Sequence, residues 1–420
     1  MGNIREKLFG RPWPPEAPDW EAPGPADFDL STIAVLSTRL LLDLNPVAGS
    51  DIQQYEGELV RNHLRILYSV HQNRQTIMTG SSSEPLIAEA SAQIINYTLM
   101  NKKPYMDLWN LLTKFVNHGL AAQGAIGELI GRALCISAMD RAINQLSVET
   151  VCELKYQTPV KVADYYKALL TSEAWENLRQ SVPANWAQLS EDSGKKTFEV
   201  AFQNAYLHFS HFIKANDASP MCDTLAWAIW LRGAAVVCQL NEELTDRMTP
   251  IYFQDRGALS PGSISAILDQ DKTGHSINPN NVPIQSAEDL SIFSDGHKLP
   301  YIASTHCYAL NNLPNKTNIV VTQASSRNLW TSSNDKEAPR YQIDIYGLNA
   351  YGNITDEAKT CIRTIISHSK NEVFNNHSRD YGMPGLRQML PVATKHPDAT
   401  HWVHEYKKLH NWNAIHSSTS

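Results

Sequence analysis

The stretch ISAILDQDKTGHS, residues 264–276, decides the fold of the C-terminal half of this chain. Ile264, Ala266 and Leu268 alternate with their neighbours, which predicts a strand with one buried face. The strand then ends in DQDK, residues 269–272, where two carboxylates, an amide and an ammonium precede a Thr-Gly break. A strand that leaves a core usually ends in a turn, so this charged end needs an explanation.

Two segments upstream of this stretch read as its partner strands. AAVVCQL and DRMTPIYFQ are rich in β-branched or apolar residues, and the short links NEEL and DRGALSPG separate the three segments. They predict a three-stranded antiparallel meander over residues 234–239, 246–254 and 263–270. Further on, NIVVTQAS and RYQIDIYGL predict two more strands, and DEAKTCIRTIISHSK predicts a helix.

The chain before residue 220 has a helical pattern. GAIGELIGRALCISAMDRAINQL, VADYYKALLTSEAWENLRQSV and FEVAFQNAYLHFSHFIKAN each predict a helix, so residues 40–220 are expected to be mostly helical and to pack as a bundle beside the sheet. We therefore predict an α+β fold in three parts. These are a Pro-rich extended arm at 1–30, a helical region at 31–220, and an α/β region with a polar C-terminal tail at 221–420.

The turn between the second and third strands brings Asp246 level with the charged end of the third strand, where Gln270, Asp271 and Lys272 lie. Divalent cations such as Mg²⁺ prefer oxygen ligands, so Asp246, Gln270 and Asp271 are the predicted metal ligands. A lysine beside such a metal orients a water and stabilises the charge that develops on phosphate. This is the chemistry of metal-dependent phosphodiester cleavage.

Two alternatives stay open at this strand end. Side chains alternate across a strand, so Gln270 and Lys272 face one side while Asp269 and Asp271 face the other. A centred hairpin register pairs Asp246 with Asp271, whereas a shift of one residue or a bulge places it with the other pair. Charged residues at a strand end are also typical of a solvated exit into a loop, and spacing alone favours that simpler interpretation.

Glu128, in GAIGELIGR, lies on an otherwise apolar helix and also has two interpretations. Its carboxylate forms an i,i+4 ion pair with Arg132 on an exposed face, or it points to the metal end of the sheet. Spacing alone favours the ion pair.

Composition restricts the class of protein. The 420 residues are 42% hydrophobic and 19% charged, which is typical of a globular chain with a large core. A formal net charge of −7 argues against a surface coated in basic residues for non-specific nucleic-acid binding. No apolar run of about 18 residues and no signal-peptide segment is present, so we expect no membrane span and an intracellular location, nuclear or cytoplasmic. The oligomeric state is left open.

Five blocks, in chain order, carry a resemblance to a known family. GAIGELIGRALCISAMDRA, AFQNAYLHFSHFIKA, WLRGAAVVCQ, TDRMTPIYF and SISAILDQDKTG resemble a family of uncharacterised fungal proteins, often found in mushroom-forming fungi. The Glu…Asp…Gln-x-Lys order of that family is similar to the PD-(D/E)xK restriction-endonuclease-like superfamily. The resemblance implies a restriction-endonuclease-like mixed sheet, with Glu128 as the helix glutamate, Asp246 as the strand aspartate, and Gln270 and Lys272 as the Gln-x-Lys pair.

Three hypotheses about function follow. The first is a Mg²⁺-dependent nuclease-like protein that cleaves nucleic acid, with Lys272, Gln270, Asp246 and Glu128 as its catalytic residues. It is either active or a degenerate copy, because positions 269 and 271 carry charge where the family has apolar residues. The second is a non-catalytic helical binding or scaffold protein with a structural sheet. The third is a protein that senses nucleic acid without cutting it.

Overall fold

The part of the chain that can be described covers most of its first 369 residues. The computed structural model describes residues 2–10, 12, 30–44, 50–70, 72, 77–97, 107–117, 120–121, 125–146, 154–186, 189, 196–215, 222–238, 245–273, 298–308, 319–321 and 338–369. Residues 1–366 form one compact unit. The second unit, 367–420, contains the predicted polar tail and lies, beyond residue 369, outside the described residues.

The chain has a mixed α/β fold. Its described residues form eleven α-helices: α1 (Gly2–Phe9), α2 (Leu30–Leu40), α3 (Ser50–Asn62), α4 (Pro85–Ile95), α5 (Leu108–Asn117), α6 (Ile126–Gln145), α7 (Val162–Leu169), α8 (Ser172–Arg179), α9 (Phe198–Ala201), α10 (Asp223–Leu231) and α11 (Asp356–Ser369). None of these helices combines the length and the apolar composition needed to cross a bilayer.

Eleven strands are present in the same residues. Two of them, β1 (Ile66–Val70) and β2 (Ile77–Gly80), form a separate antiparallel pair. The other nine build one curled, mixed sheet: β3 (Val160–Lys161), β4 (Ala205–Leu207), β5 (His211–Lys214), β6 (Ala234–Val237), β7 (Arg247–Phe253), β8 (Ile264–Lys272), β9 (Tyr301–Cys307), β10 (Ile319–Val321) and β11 (Arg340–Tyr346).

The predicted three-stranded antiparallel meander is confirmed. β6 pairs antiparallel with β7, and β7 pairs antiparallel with β8. Beyond β8 the sheet becomes parallel through β9 and β11, and β10 closes this edge antiparallel. Along its other edge β7 changes partner, from β6 at Met248 to β4 at Ile251. Pro250, which has no N–H to donate, lies at this change.

Helices cover both faces of the meander. Ala266 and Leu268 of β8 belong to a core that includes Ala226 and Ile229 of α10. Ile267, on the opposite face, belongs to the larger core to which α6 contributes. Most of α6 is buried, as expected for a helix that is apolar nearly all round. The charged end of β8 therefore lies under helix α6 and not at a free edge.

Two expectations for the N-terminal part are wrong. The helix predicted over 198–216 ends at Ala201, because the following residues pair as β4 with β7 and as β5 with β6. Residues 2–9, expected within an extended arm, form α1, and Leu8 and Phe9 at its end are fully buried. The predicted helical region therefore supplies β3, β4 and β5 to the main sheet, and the chain is not divided into a helical half and a sheet half.

Candidate functional site

One buried arginine organises the charged end of β8. In the β7–β8 ladder Arg247 lies directly opposite Asp269. Its Nη2 is 3.4 Å from Asp269 Oδ2, and its Nη1 donates to Asp271 Oδ2. The Arg247 side chain is 0% exposed. A single guanidinium, fully removed from solvent, therefore holds both aspartates of the DQDK segment.

Polar side chains of β9 surround Asp269. The Ser304 hydroxyl donates to its carboxylate, and His306 Nε2 lies 3.3 Å from its Oδ1. His306 Nδ1 is 2.8 Å from the Tyr351 hydroxyl, which extends this polar network through the core. Burial alone raises the pKa of Asp269, but the charge of Arg247 and the contacts with His306 and Ser304 outweigh burial and lower it to about 2. Asp269 is therefore ionised at neutral pH.

Helix α6 approaches Asp271 closely because it carries glycines at the contact. The Tyr308 hydroxyl donates to Asp271 Oδ1 from the other side. A side chain at Gly131 would overlap both the Arg247 guanidinium and the Asp271 carboxylate. At Gly127, four residues earlier on α6, a side chain would contact Thr273 closely (3.1 Å) and Asp271 at ordinary van der Waals distance. Gly131 therefore lets α6 pack directly over the ion pair.

The β7–β8 hairpin adopts the register that is shifted by one residue from the centred register. Continued beyond Arg247, it would place Asp246 level with Gln270. The ladder is irregular at this point, because the Asp246 N–H donates to the Asp269 carbonyl (2.9 Å) and the Asp246 carboxylate accepts the N–H of Asp271. Asp246 is therefore hydrogen-bonded to the backbone of β8, the strand that carries the other predicted metal ligands.

Glu128 lies in the first turn of α6, close to the same end of the sheet. Burial raises the pKa of Asp246 to about 6, and the negative charge of Asp271 adds to the rise. Burial also raises the pKa of Glu128 to about 7, and the charges of Asp246 and Asp271 add to it. The Glu128 and Arg132 side chains do not form the expected ion pair, because Arg132 Nε donates to the backbone carbonyl of Glu128 (3.3 Å). The charge of Arg132 only partly offsets the raised pKa of Glu128. Glu128, Asp246 and Asp271 are thus brought to one end of the sheet.

Gln270 and Lys272 belong to the other side of β8. Gln270 is 2% exposed and pairs with Thr305 of β9 in the parallel ladder, and it alternates with Asp271 along the strand. Lys272 shares the parity of Gln270 and is partly exposed at the strand end. Its positive charge partly offsets the rise in the pKa of Asp246. The lysine of the Gln-x-Lys pair therefore acts electrostatically on Asp246.

The predicted magnesium ligands are not arranged as a magnesium site. Gln270 and Asp271 lie on opposite faces of β8, Asp271 is paired with Arg247, and Asp246 accepts a backbone N–H. Within the described ranges no group of three or more His, Cys, Asp or Glu side chains is placed to hold a metal ion. Arg247 already supplies positive charge at this position, and the magnesium site stays a prediction.

The residues that matter most at this site, Arg247, Ser304 and His306, were missed by sequence reasoning. A signal was present for the first, since Arg247 directly follows Asp246 in a strand that was otherwise correctly predicted. Ser304 and His306 alternate in YIASTHC, which places both on one face of a strand.

Comparison of the chain with models of known families, with curated proteins and with solved structures gives no match. The resemblance to the fungal family and to the restriction-endonuclease-like superfamily is therefore carried by the quoted residues alone and stays a prediction. Function has to be inferred from the geometry of this chain.

Proposed function

We propose that this chain is a non-catalytic binding protein on a nuclease-like mixed sheet, in which the charged strand end of the motif serves the fold. One observation carries the proposal: the Arg247 guanidinium lies fully buried between Asp269 and Asp271. The proposal combines two of the hypotheses from the sequence: an inactive, degenerate copy of a nuclease, and a non-catalytic binding protein.

Electrostatics supports a structural role for these aspartates. Buried carboxylates need a counter-charge, because an unpaired charge in a protein interior costs several kcal/mol. In a metal-dependent nuclease the metal supplies that charge, so the carboxylates must stay open to it. Here Arg247 supplies it permanently, and Tyr308, Ser304 and His306 occupy further positions around the carboxylates.

An active nuclease is the second candidate, and a specific observation favours it. The charge of Asp246 adds to the raised pKa of Glu128, and the charge of Lys272 acts on Asp246. Carboxyl groups with raised pKa values beside a lysine are typical of catalytic clusters. The same cluster, however, has Gln270 on the far side of β8 and a backbone N–H on Asp246.

A cleavage assay separates the two candidates. The full chain is incubated with duplex DNA, single-stranded DNA and structured RNA in the presence of Mg²⁺ or Mn²⁺. Lys272→Ala removes the lysine of the motif, and Lys161→Ala removes an exposed lysine of β3 as the matched control.

The proposal predicts that neither the wild type nor either variant cleaves any of these nucleic acids. The active-nuclease candidate predicts cleavage that falls by about 10²–10³-fold in Lys272→Ala and persists in Lys161→Ala. Cleavage that both variants keep would show a contaminant and leave the strand end without a catalytic role.

A further inference from the structure

A pocket lies beside Glu128, between the end of α2, the start of α6 and the ends of β5 and β6. Its volume is about 280 Å³. Leu42, Leu44, Phe115, Leu129 and Val237 supply apolar walls. Concave, mostly apolar pockets with a few convergent polar groups are the usual form of small-molecule sites. We call this cavity the α6 pocket.

Arg132 is the charged group within the α6 pocket. It is 6% exposed, and its described hydrogen bonds go to carbonyl oxygens, from Nε to Glu128 (3.3 Å) and from Nη1 to Leu41 (2.9 Å). Burial lowers the pKa of Arg132, and the charges of Glu128 and Asp43 only partly offset this effect. No carboxylate of the described residues lies within ion-pair distance of its guanidinium. A buried guanidinium without a paired anion carries a desolvation penalty that an anionic ligand would offset.

The backbone that contacts Arg132 is itself strained. Leu41, which follows α2, has a φ of 51°, in the left-handed region that a residue with a side chain rarely adopts. Its carbonyl accepts the Arg132 Nη1–H in this conformation. Strain of about 1–2 kcal/mol at one residue persists where the surroundings fix the conformation, and such residues cluster at ligand sites.

Three other charged groups line the pocket, and the two carboxyl groups among them act on Arg132. Lys214 and Asp43 pair with each other at 2.8 Å, and both are about half exposed at the rim. Glu128 also lines the pocket, and its raised pKa leaves much of this carboxyl protonated near neutral pH. Because Lys214 offsets Asp43 and Glu128 is only partly ionised near pH 7, the groups that line the pocket carry a net positive charge.

We propose that the α6 pocket binds a small organic acid, with its carboxylate paired to Arg132 and its apolar body packed between Phe115, Leu129 and Val237. A planar guanidinium matches a carboxylate in two parallel hydrogen bonds. The apolar walls favour a hydrocarbon body over a bare inorganic anion, and the volume restricts that body to a short chain or a single ring. This site does not depend on whether the β8 strand end is catalytic.

Hexanoate is a suitable probe, and its binding to the full chain is measured by titration calorimetry. Hexan-1-ol, hexylamine and inorganic phosphate test the carboxylate, the sign of the charge and the apolar body in turn. Each of the three is expected to bind at least about tenfold more weakly than hexanoate, because a charge-assisted hydrogen bond or the apolar contact is lost. Equal binding of hexan-1-ol, preferred binding of hexylamine, or no binding of hexanoate would overturn the proposal.

Three variants locate the site. Arg132→Gln should weaken hexanoate binding by about 10–100-fold, and Arg256→Gln, which changes an exposed arginine on a 3-10 turn, should leave it unchanged. Ala125→Leu places a larger side chain in the pocket without removing a charge and should abolish binding. Undiminished binding in Ala125→Leu would overturn the proposal even if Arg132→Gln does not fold. Cleavage of nucleic acid would refute the proposed function and leave this result intact.

Discussion

Replacing Arg247 by methionine should destabilise the fold strongly. The change keeps much of the side-chain volume but removes the guanidinium between Asp269 and Asp271. At 3.4 Å and an effective dielectric constant of about 20, Coulomb's law gives about 5 kcal/mol for the Asp269 contact, before the desolvation of both groups is subtracted. Removing one partner of a buried ion pair usually costs about 3–5 kcal/mol net, because the other charge is left buried and unpaired.

The pKa of Asp269 gives a second measure of the same interaction. A fall from 3.8 to about 2 corresponds to about 2 kcal/mol of stability. That contribution is present above the unfolded pKa and is lost as the pH falls through the folded value. Arg247→Met should remove much of it, so the variant should lose less stability than wild type when the pH falls below about 4.

Chemical denaturation at neutral pH measures the effect, with Arg179→Met as the matched control. Arg179 also lies between two carboxylates, Glu176 and Glu199, but on the surface. The control should unfold at nearly the wild-type denaturant concentration, because surface ion pairs contribute little. Adding Asp269→Asn and Asp271→Asn to Arg247→Met should recover part of the loss, since no buried charge is then unpaired. A midpoint for Arg247→Met equal to that of Arg179→Met would refute the structural role of this arginine.

Two further changes test the same end of the sheet. Glu128→Gln should make the fold more stable than wild type by about 1–2 kcal/mol at about pH 8 and equal to it at about pH 4. The raised pKa of Glu128 means that folding penalises only its ionised form, and the partial exposure of the side chain reduces this penalty. Denaturation curves at both pH values measure the stability difference. A difference that does not change with pH would contradict the raised pKa of Glu128. Gly131→Ala should lower stability by about 2–4 kcal/mol, because the new Cβ would overlap Arg247. The control Gly57→Ala, at an open position on α3, should raise stability by about 0.5–1 kcal/mol. Equal effects of the two changes in thermal unfolding would contradict the close packing of α6.

The meander could be predicted because its signals are local. Alternating residues and short links specify β6, β7 and β8, and the observed strands lie within two residues of the expected bounds. The strand β9 was missed because the sequence between 273 and 298 gives no local signal of where the next strand begins. Residues 205–214 were assigned to a helix because their apolar spacing fits both periods, and pairing with β6 and β7 overrides the local preference.

The charged strand end could be located but not interpreted from sequence. Its meaning depends on the hairpin register, on the irregular ladder at Asp246, and on which helix covers which face. Those are long-range properties, and a shift of one residue to the centred register would place Gln270 instead of Asp269 opposite Arg247. Glu128 was a candidate for this end only through the resemblance, because its spacing favoured an ion pair with Arg132. Neither its pocket nor the environment of Arg132 had a local signal.

The response of wild-type stability to a divalent cation tests the central claim most directly. Thermal unfolding of the full chain is followed with and without millimolar Mg²⁺ or Mn²⁺, at a pH above the raised pKa of Glu128 so that its carboxyl is free to bind. If Arg247 supplies the positive charge at the end of β8, neither cation should change the midpoint. A saturable rise in the midpoint that Asp246→Asn or Glu128→Gln abolishes would contradict the account and would establish a metal site at this strand end.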